Sequence, residues 1–230
     1  MPWIVGADGG YSGVRRWSGL QSGMKSKERY GFRKHFRVAP WSNFVEVYWG
    51  EGCQIYVSPV GACEVGVAVV SKDRRLRVDD AVPQFPALAR QLRGAAEAST
   101  ERGGISASRR LRRVTAGSIA LIGDASGSVD AVTGEGMNLA FQQAPALAAA
   151  IASGDLSRYT AAHARIARAP ALMAEVLLLL DGWGGLRNRV LPALAARPQL
   201  FAGMLAEHVG AANPLAIAAN LAALGWAILF

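Results

Sequence analysis

The chain has 230 residues, 51% of them hydrophobic and 18% charged, with a formal net charge of +8. That length suits one large or two small domains with a sizeable core, and the composition excludes an intrinsically disordered chain. The charge is uneven, with 19 Lys and Arg against 10 Asp and Glu in residues 1–113 and 6 against 7 in residues 114–230; no helix-turn-helix, zinc-finger or RNA-binding signature accompanies it, so nucleic acid is not the expected partner.

In chain order, PWIVGADG reads as a short buried strand ending in an Asp-Gly turn, and Ser12 caps a short helix over SGVRRW. Four strand-like runs follow: RYGFRKHFRVA from Arg29, FVEVYWG from Phe44, QIYVSP from Gln54 and EVGVAVV from Glu64. They alternate apolar and polar residues between Pro, Ser, Asn and Gly breaks, which predicts an antiparallel sheet with one covered face. Folding the last two about a turn at residues 59–62 sets Cys53 opposite a residue near Val69. Cys53 and Cys63 are then too far apart to bridge, and free thiols in a reducing cytoplasm are expected. A helix is predicted over residues 82–94, then a strand-like ISASRRLRRVT and the apolar strand SIALIG.

From Gly134 onward the chain reads as Ala- and Leu-rich helix. Pro145 and Pro170 are predicted to kink or break it, with turns at Gly154-Asp155, residues 182–185 and Asn213-Pro214. The start, MPWIVGADGG, lacks the basic and apolar segments of a signal peptide. The last 16 residues from Leu215 are interrupted by Asn220 and are short for a membrane span. A packed C-terminal helix is expected, with peripheral membrane contact as the alternative.

Two constellations carry chemistry. One is Asp8-Gly9-x-x-Ser12-x-x-Arg15-Arg16, which by itself is also an ordinary strand-to-helix joint. The other lies in ALIGDASGSVDAVTGEGMN, residues 120–138: an apolar strand, Gly123-Asp124, then Thr133-Gly134-Glu135-Gly136-Met137-Asn138 opening a helix. A helix start leaves N–H groups unpaired and attracts phosphate or an anionic ring edge, while Gly134 and Gly136 allow close backbone approach. Asp124, at a strand end, can accept hydrogen bonds from sugar-like hydroxyls. The strand and turn usually expected ahead of such a segment, with Gly-x-Gly-x-x-Gly, is not in the sequence.

These two motifs resemble those of the flavoprotein superfamily of para-hydroxybenzoate hydroxylase and the geranylgeranyl reductases. ADGGYSGVRR is similar to the superfamily's D-G-x-x-S-x-x-R motif, and GDASGSVDAVTGEGMN to its G-D-A-x-x-x-x-x-P-x-x-G-x-G motif. The resemblance implies an α+β fold, an α/β FAD-domain remnant with an inserted antiparallel substrate sheet, followed by C-terminal helices. It implies FAD-domain segments at residues 1–28 and 114–153, the sheet with one helix at 29–113, and a helical region at 154–230. Asp124 would bind the ribitol chain of FAD. The helix start at Gly134 to Gly136 would face the pyrophosphate and the flavin N1–C2=O edge. Asp8, Gly9, Ser12 and Arg15 would lie in the motif linked to FAD and NAD(P)H.

Where aromatic hydroxylases of this group often carry His and Pro, the chain has Gly127 and Ala131, which favours a reductase over a hydroxylase. The absent Pro departs from both patterns. The expected function is that of an N-terminally shortened FAD-dependent oxidoreductase, linked to NAD(P)H and acting on a small apolar molecule, with poor FAD retention by this polypeptide alone. The alternatives are a monooxygenase, or a non-catalytic module that binds an apolar ligand or associates with itself. No general acid or base is assigned, because the flavin carries the chemistry. Trp41, Tyr48, Trp49 and Tyr56 are substrate-face candidates that ordinary sheet packing would equally explain. His35, His163 and His208 show no metal-ligand spacing. The Arg109-Arg110-x-Arg112-Arg113 cluster either meets a cofactor phosphate or lies in solvent.

Overall fold

The computed structural model describes residues 2–208 and divides into two compact units. One comprises residues 26–108; the other combines residues 1–25 with the chain from 109 onward. The first FAD-domain segment, the second and the C-terminal helices expected from the sequence thus share one unit.

The inserted unit is built on an antiparallel sheet of β2 (Lys25–Arg37), β3 (Glu46–Trp49), β4 (Cys53–Gly61), β5 (Glu64–Ser71) and the short β6 (Ala96–Glu97), in the order β3-β4-β5-β2-β6, with β7 (Arg102–Arg110) also pairing with β2. The register explains its faces. Phe32 opposes Val69, which opposes Ile55, which opposes Tyr48; Lys34, Val67, Val57 and Glu46 form the next row. Successive side chains alternate faces, so these rows share one side. There α2 (Val78–Ala81) and α3 (Pro86–Gln91) close a core with Val78, Ala81, Phe85 and Leu88. Lys34, within the apolar face, is tolerated because its ammonium reaches Asp79 at 2.6 Å and Glu97 at 2.8 Å.

The helix expected over residues 82–94 starts earlier and is divided. A 3-10 turn, Val82–Gln84, separates α2 from α3, and Pro83 and Pro86 each sit in the first turn of a segment, where the missing N–H costs no bond within it. The β4–β5 turn also lies later than expected. Gly61 pairs with Glu64 after a bulge between Pro59 and Gly61, which sets Cys53 against Ser71 rather than near Val69. Both cysteines are free, Cys53 buried and Cys63 exposed.

The second unit contains β1 (Ile4–Gly6), α1 (Gly13–Trp17), β8 (Thr115–Ala116), β9 (Ile119–Leu121) and the helices α4 (Gly136–Ala152), α5 (Leu156–Gly182), α6 (Gly184–Ala196) and α7 (Pro198–His208). β1 pairs in parallel with β9, matching Ile4 to Ile119 and Gly6 to Leu121. β1 is not buried as expected: Ile4 and Val5 are each 43% exposed, because β1 is the edge of a three-stranded sheet in the order β1-β9-β8. Behind the sheet, Leu139, Gln143, Leu147 and Ala150 form the buried stripe of α4, and the wholly buried Tyr159 of α5 donates its hydroxyl to the Leu121 carbonyl at 2.7 Å. Burial pushes that phenol's pKa up.

Neither Pro145 nor Pro170 ends its helix; α4 and α5 run through them. The expected turns at Gly154-Asp155 and around Gly182 to Gly185 fall between helices, and Asp155 caps α5 by accepting from the Ser157 N–H. Among the described residues no single helix is long and apolar enough to cross a membrane. The Asn213-Pro214 turn and the C-terminal helix from Leu215 lie outside the described residues.

Candidate functional site

The site is built where two strand ends meet. β1 runs out through Gly6 into Asp8-Gly9, and the neighbouring β9 runs out through Ile122 into Gly123-Asp124. Parallel strands that finish side by side open a crevice at their carboxyl ends, where nucleotides bind in α/β sheets. Here that crevice is an open cleft of about 450 Å³ lined by Ala7, Gly9, Ile122, Gly123, Asp124, Gly136, Met137 and Ala140.

The Asp-Gly motif organises itself. Asp8 Oδ2 accepts the Gly13 N–H at 2.7 Å and the Val14 N–H at 3.2 Å, and Ser12 Oγ accepts the Arg15 N–H at 2.9 Å. The Ser12 hydroxyl, then these N–H groups, hold the Asp8 carboxyl pKa near 2 against its ordinary 3.8. Ser12 and Arg15 are both buried. The Arg15 guanidinium donates to the carbonyls of Gly10 at 2.6 Å, Ala125 at 3.1 Å and Asp124 at 3.3 Å. One side chain therefore ties the Asp-Gly turn to the Gly-Asp turn. Desolvation, then the neighbouring Arg109 charge, lowers its pKa.

The Gly-Asp motif leaves its chemistry facing outward. Gly123 adopts φ +60°, in the left-handed region that lets the chain leave β9 and turn sharply into Asp124. The Asp124 side chain is exposed, lines the cleft and has no hydrogen-bond or ionic partner among the described residues. Thr133 Oγ1 donates to the Asp130 carbonyl at 3.1 Å and accepts from the Glu135 N–H at 3.4 Å, which shapes the approach to α4. Gly134 turns there with φ +69°. Glu135, the N-cap residue, makes no side-chain bond to the helix N–H groups; its carboxylate accepts from Asn138 Nδ2 at 2.5 Å instead. The N–H groups of Gly136 and Met137 thus open α4 at the cleft with no side-chain cap. A Cβ added at Gly9 or Gly136 would meet no protein atom within 4 Å, so the backbone is bare on both walls.

A free carboxylate on one wall and uncapped helix N–H groups on the other fit a ligand carrying hydroxyls and an anionic or carbonyl edge. Asp124→Ala is expected to weaken FAD binding about tenfold to a hundredfold and to leave the stability of the unliganded protein within about 0.5 kcal/mol. Flavin-fluorescence titration and thermal melting measure the two, and lost stability at unchanged affinity would show the carboxylate to be structural.

The substrate-face candidates divide by the sheet register. Tyr48 pairs with Ile55 and so faces the helix-covered core, where its ring meets Phe85 edge-on at 6.0 Å. Trp41 packs on that core as well. Trp41 Nε1 and Tyr48 Oη both donate to Glu46 Oε2, at 3.0 and 2.7 Å. Burial first, and then that carboxylate, push Tyr48 up to about 12. Trp49 pairs with Gln54 and Tyr56 with Val47, placing both on the opposite face.

Four residues outside the sequence motifs contribute. Gln143 accepts the Gly123 N–H directly, His163 contacts the Gly-Asp turn through Ser126, Tyr159 holds β9, and Arg109 exchanges both backbone bonds with Ser128 at 2.8 and 3.0 Å. The Arg109 guanidinium lies 5.4 Å from the Tyr11 ring centroid. Gln143 left a sequence signal as a polar residue within the apolar stripe of α4, and Arg109 as a member of the arginine cluster. His163 and Tyr159 lie on a helix whose composition is uninformative.

Comparison with known proteins places this geometry. No curated protein matches the chain. Among solved structures, the Diels-Alderase PyrE3 of pyrroindomycin biosynthesis is 21% identical with a TM-score of 0.67, over 92% of this chain and 50% of that one. The flavin-dependent halogenase CmlS is 20% identical with a TM-score of 0.62, over 75% and 34%. PqsL of Pseudomonas aeruginosa, a probable FAD-dependent monooxygenase, is 22% identical with a TM-score of 0.54, over 88% and 58%. The chain therefore spans about a third to three-fifths of the length of these structures, and the likeness is one of fold. A family model described as FAD binding domain matches residues 1–165, a span that takes in both turns, the sheet between them, α4 and the start of α5; the chain belongs to that FAD-binding family.

Proposed function

We propose that the chain serves a FAD-dependent oxidoreductase that draws electrons from NAD(P)H and acts, as a reductase, on a small apolar molecule. The observation that carries this reading is the junction of the Asp-Gly and Gly-Asp turns by the Arg15 guanidinium beside one open cleft. Asp124 would accept from the ribitol hydroxyls of FAD, and the N–H groups of Gly136 and Met137 would meet its anionic or carbonyl edge. Bound FAD supplies the hydride or oxygen chemistry itself. The chain's residues bind and orient it.

Three observations support the finer reading. Arg16, Arg110, Arg112 and Arg113 are exposed and have no carboxylate partner among the described residues, a positive field suited to a phosphorylated electron donor. Trp49 and Tyr56 share the sheet face away from the helices and suit an apolar substrate. At Gly127, where hydroxylases of this group often carry an imidazole, an added Cβ would lie 2.7 Å from the Arg109 carbonyl oxygen, so this backbone admits no side chain there.

Mixing the FAD-loaded protein with NADPH under anaerobic conditions tests the donor. Bleaching of the flavin absorbance is expected, and a flavin that stays oxidised overturns the NAD(P)H link. Product formation from an apolar alkene without oxygen supports the reductase; turnover that demands oxygen makes the protein a monooxygenase instead.

A further inference from the structure

The Gly123-Asp124 turn rests on a polar cluster that neither flavin motif contains. Ser126 Oγ lies 2.8 Å from the Gly123 carbonyl oxygen, 3.3 Å from Gln143 Oε1 and 2.9 Å from His163 Nε2. Gln143 Oε1 also accepts the Gly123 N–H at 2.8 Å. Ser126 and Gln143 are buried, and His163 is half-buried with its ring edge-on to Tyr159 at 5.8 Å. The turn, α4 and α5 therefore meet at a single hydroxyl.

Proton counting decides what the cluster does. Ser126 has one hydroxyl proton and three acceptors within reach. If His163 Nε2 is bare, the imidazole takes that proton and the Gly123 carbonyl loses its donor. If Nε2 carries a hydrogen, it donates to Ser126 Oγ, and the serine proton is free for the Gly123 carbonyl. Only the second arrangement holds Gly123 at both its N–H, through Gln143, and its C=O, through Ser126. Gly123 has no side chain to fix it and sits at φ +60°, so these two bonds set the direction in which the next residue leaves.

The geometry points to Gln143, through its own bond to the Gly123 N–H, and His163, acting through Ser126, as positioning residues for the cofactor: they fix the Gly123 backbone so that the Asp124 carboxylate is presented to the cleft, and the Nε2–H form of His163 is the holding state. This rests on the assignment of the cleft to FAD. None of the three residues lines the cleft, so they act through Asp124 rather than on the ligand.

The test is FAD titration of the full chain as wild type, His163→Leu, His163→Gln and Ser126→Ala, with visible circular dichroism of the bound flavin and a melting curve for each. His163→Leu and Ser126→Ala are each expected to weaken FAD binding about tenfold and to alter the flavin dichroism, the loss of one hydrogen bond's worth of positioning. His163→Gln, which keeps an N–H near the Nε2 position, is expected to stay within about threefold of wild type. A variant carrying His163→Leu and Ser126→Ala together is expected to bind as each of those single variants does, because both substitutions break the same link. The proposal is overturned if His163→Leu and Ser126→Ala bind FAD like wild type, if His163→Gln fares no better than His163→Leu, or if melting temperature falls while affinity and dichroism hold. Should His163→Leu fail to fold, Ser126→Ala decides. A wild-type chain that binds no FAD overturns the cofactor assignment and the proposal together; wild-type binding indifferent to all three variants overturns the proposal alone.

Discussion

Replacing Arg15 with Met is expected to destabilise the folded protein by about 2–4 kcal/mol and to weaken FAD binding with it. The change keeps most of the side-chain volume but removes three bonds, to the carbonyls of Gly10, Asp124 and Ala125. Some of the loss is offset, because burying a guanidinium costs desolvation and Arg15 also feels the charge of Arg109. The offset is partial. The stripped carbonyls belong to two turns far apart in sequence, and among the described residues no other side chain bonds both. Arg15→Lys restores charge but not the planar fork, and is expected to recover less than half of the loss. Denaturant midpoints measure both variants; a cost below about 1 kcal/mol for Arg15→Met would mean that the turns hold together without the clamp.

Gly127→Ala is expected to cost about 2–4 kcal/mol, for reasons of backbone alone. Gly127 has φ +122°, and an added Cβ would sit 2.7 Å from the Arg109 carbonyl oxygen. That oxygen cannot move aside cheaply, since it accepts the Ser128 N–H at 3.0 Å while the Arg109 N–H is bonded to the Ser128 carbonyl at 2.8 Å. Gly134→Ala is the internal comparison. It also has positive φ, +69°, but open space within 4 Å of the new Cβ, and should cost about 1 kcal/mol. Equal destabilisation by the two substitutions would place the effect in φ and remove the role of the Arg109 contact.

Much of the fold was legible because it is written in short-range signals. The alternation of β4 and β5, the Ser12 cap and the breaks at Gly154 and around Gly182 are local, and the structure keeps all of them. What escaped depends on partners distant in sequence. Pro145 and Pro170 look like breaks, yet α4 and α5 continue through them. The division between α2 and α3 turned on which helix each proline begins. At the site, Asp124 and the helix start at Gly136 could be read as cleft residues because their backbone pattern announces them. Ser12 and Arg15 were grouped with them by motif, and the structure puts both beneath the cleft, engaged with backbone. His163 carries no periodic or spacing signal, so its contact with Ser126 is visible only once α5 is folded against α4.

The parallel pairing of β1 with β9 joins strands separated by more than a hundred residues. Closing so long a loop before any other contact forms is entropically costly and slow. The hairpins of the intervening sheet close between near neighbours, and the pairing of β2 with β7 draws the two ends of that segment together. The sheet therefore shortens the search for the strand pair on which the cleft depends. A weakened hairpin in that sheet is therefore expected to slow formation of the cleft even though its residues do not line it.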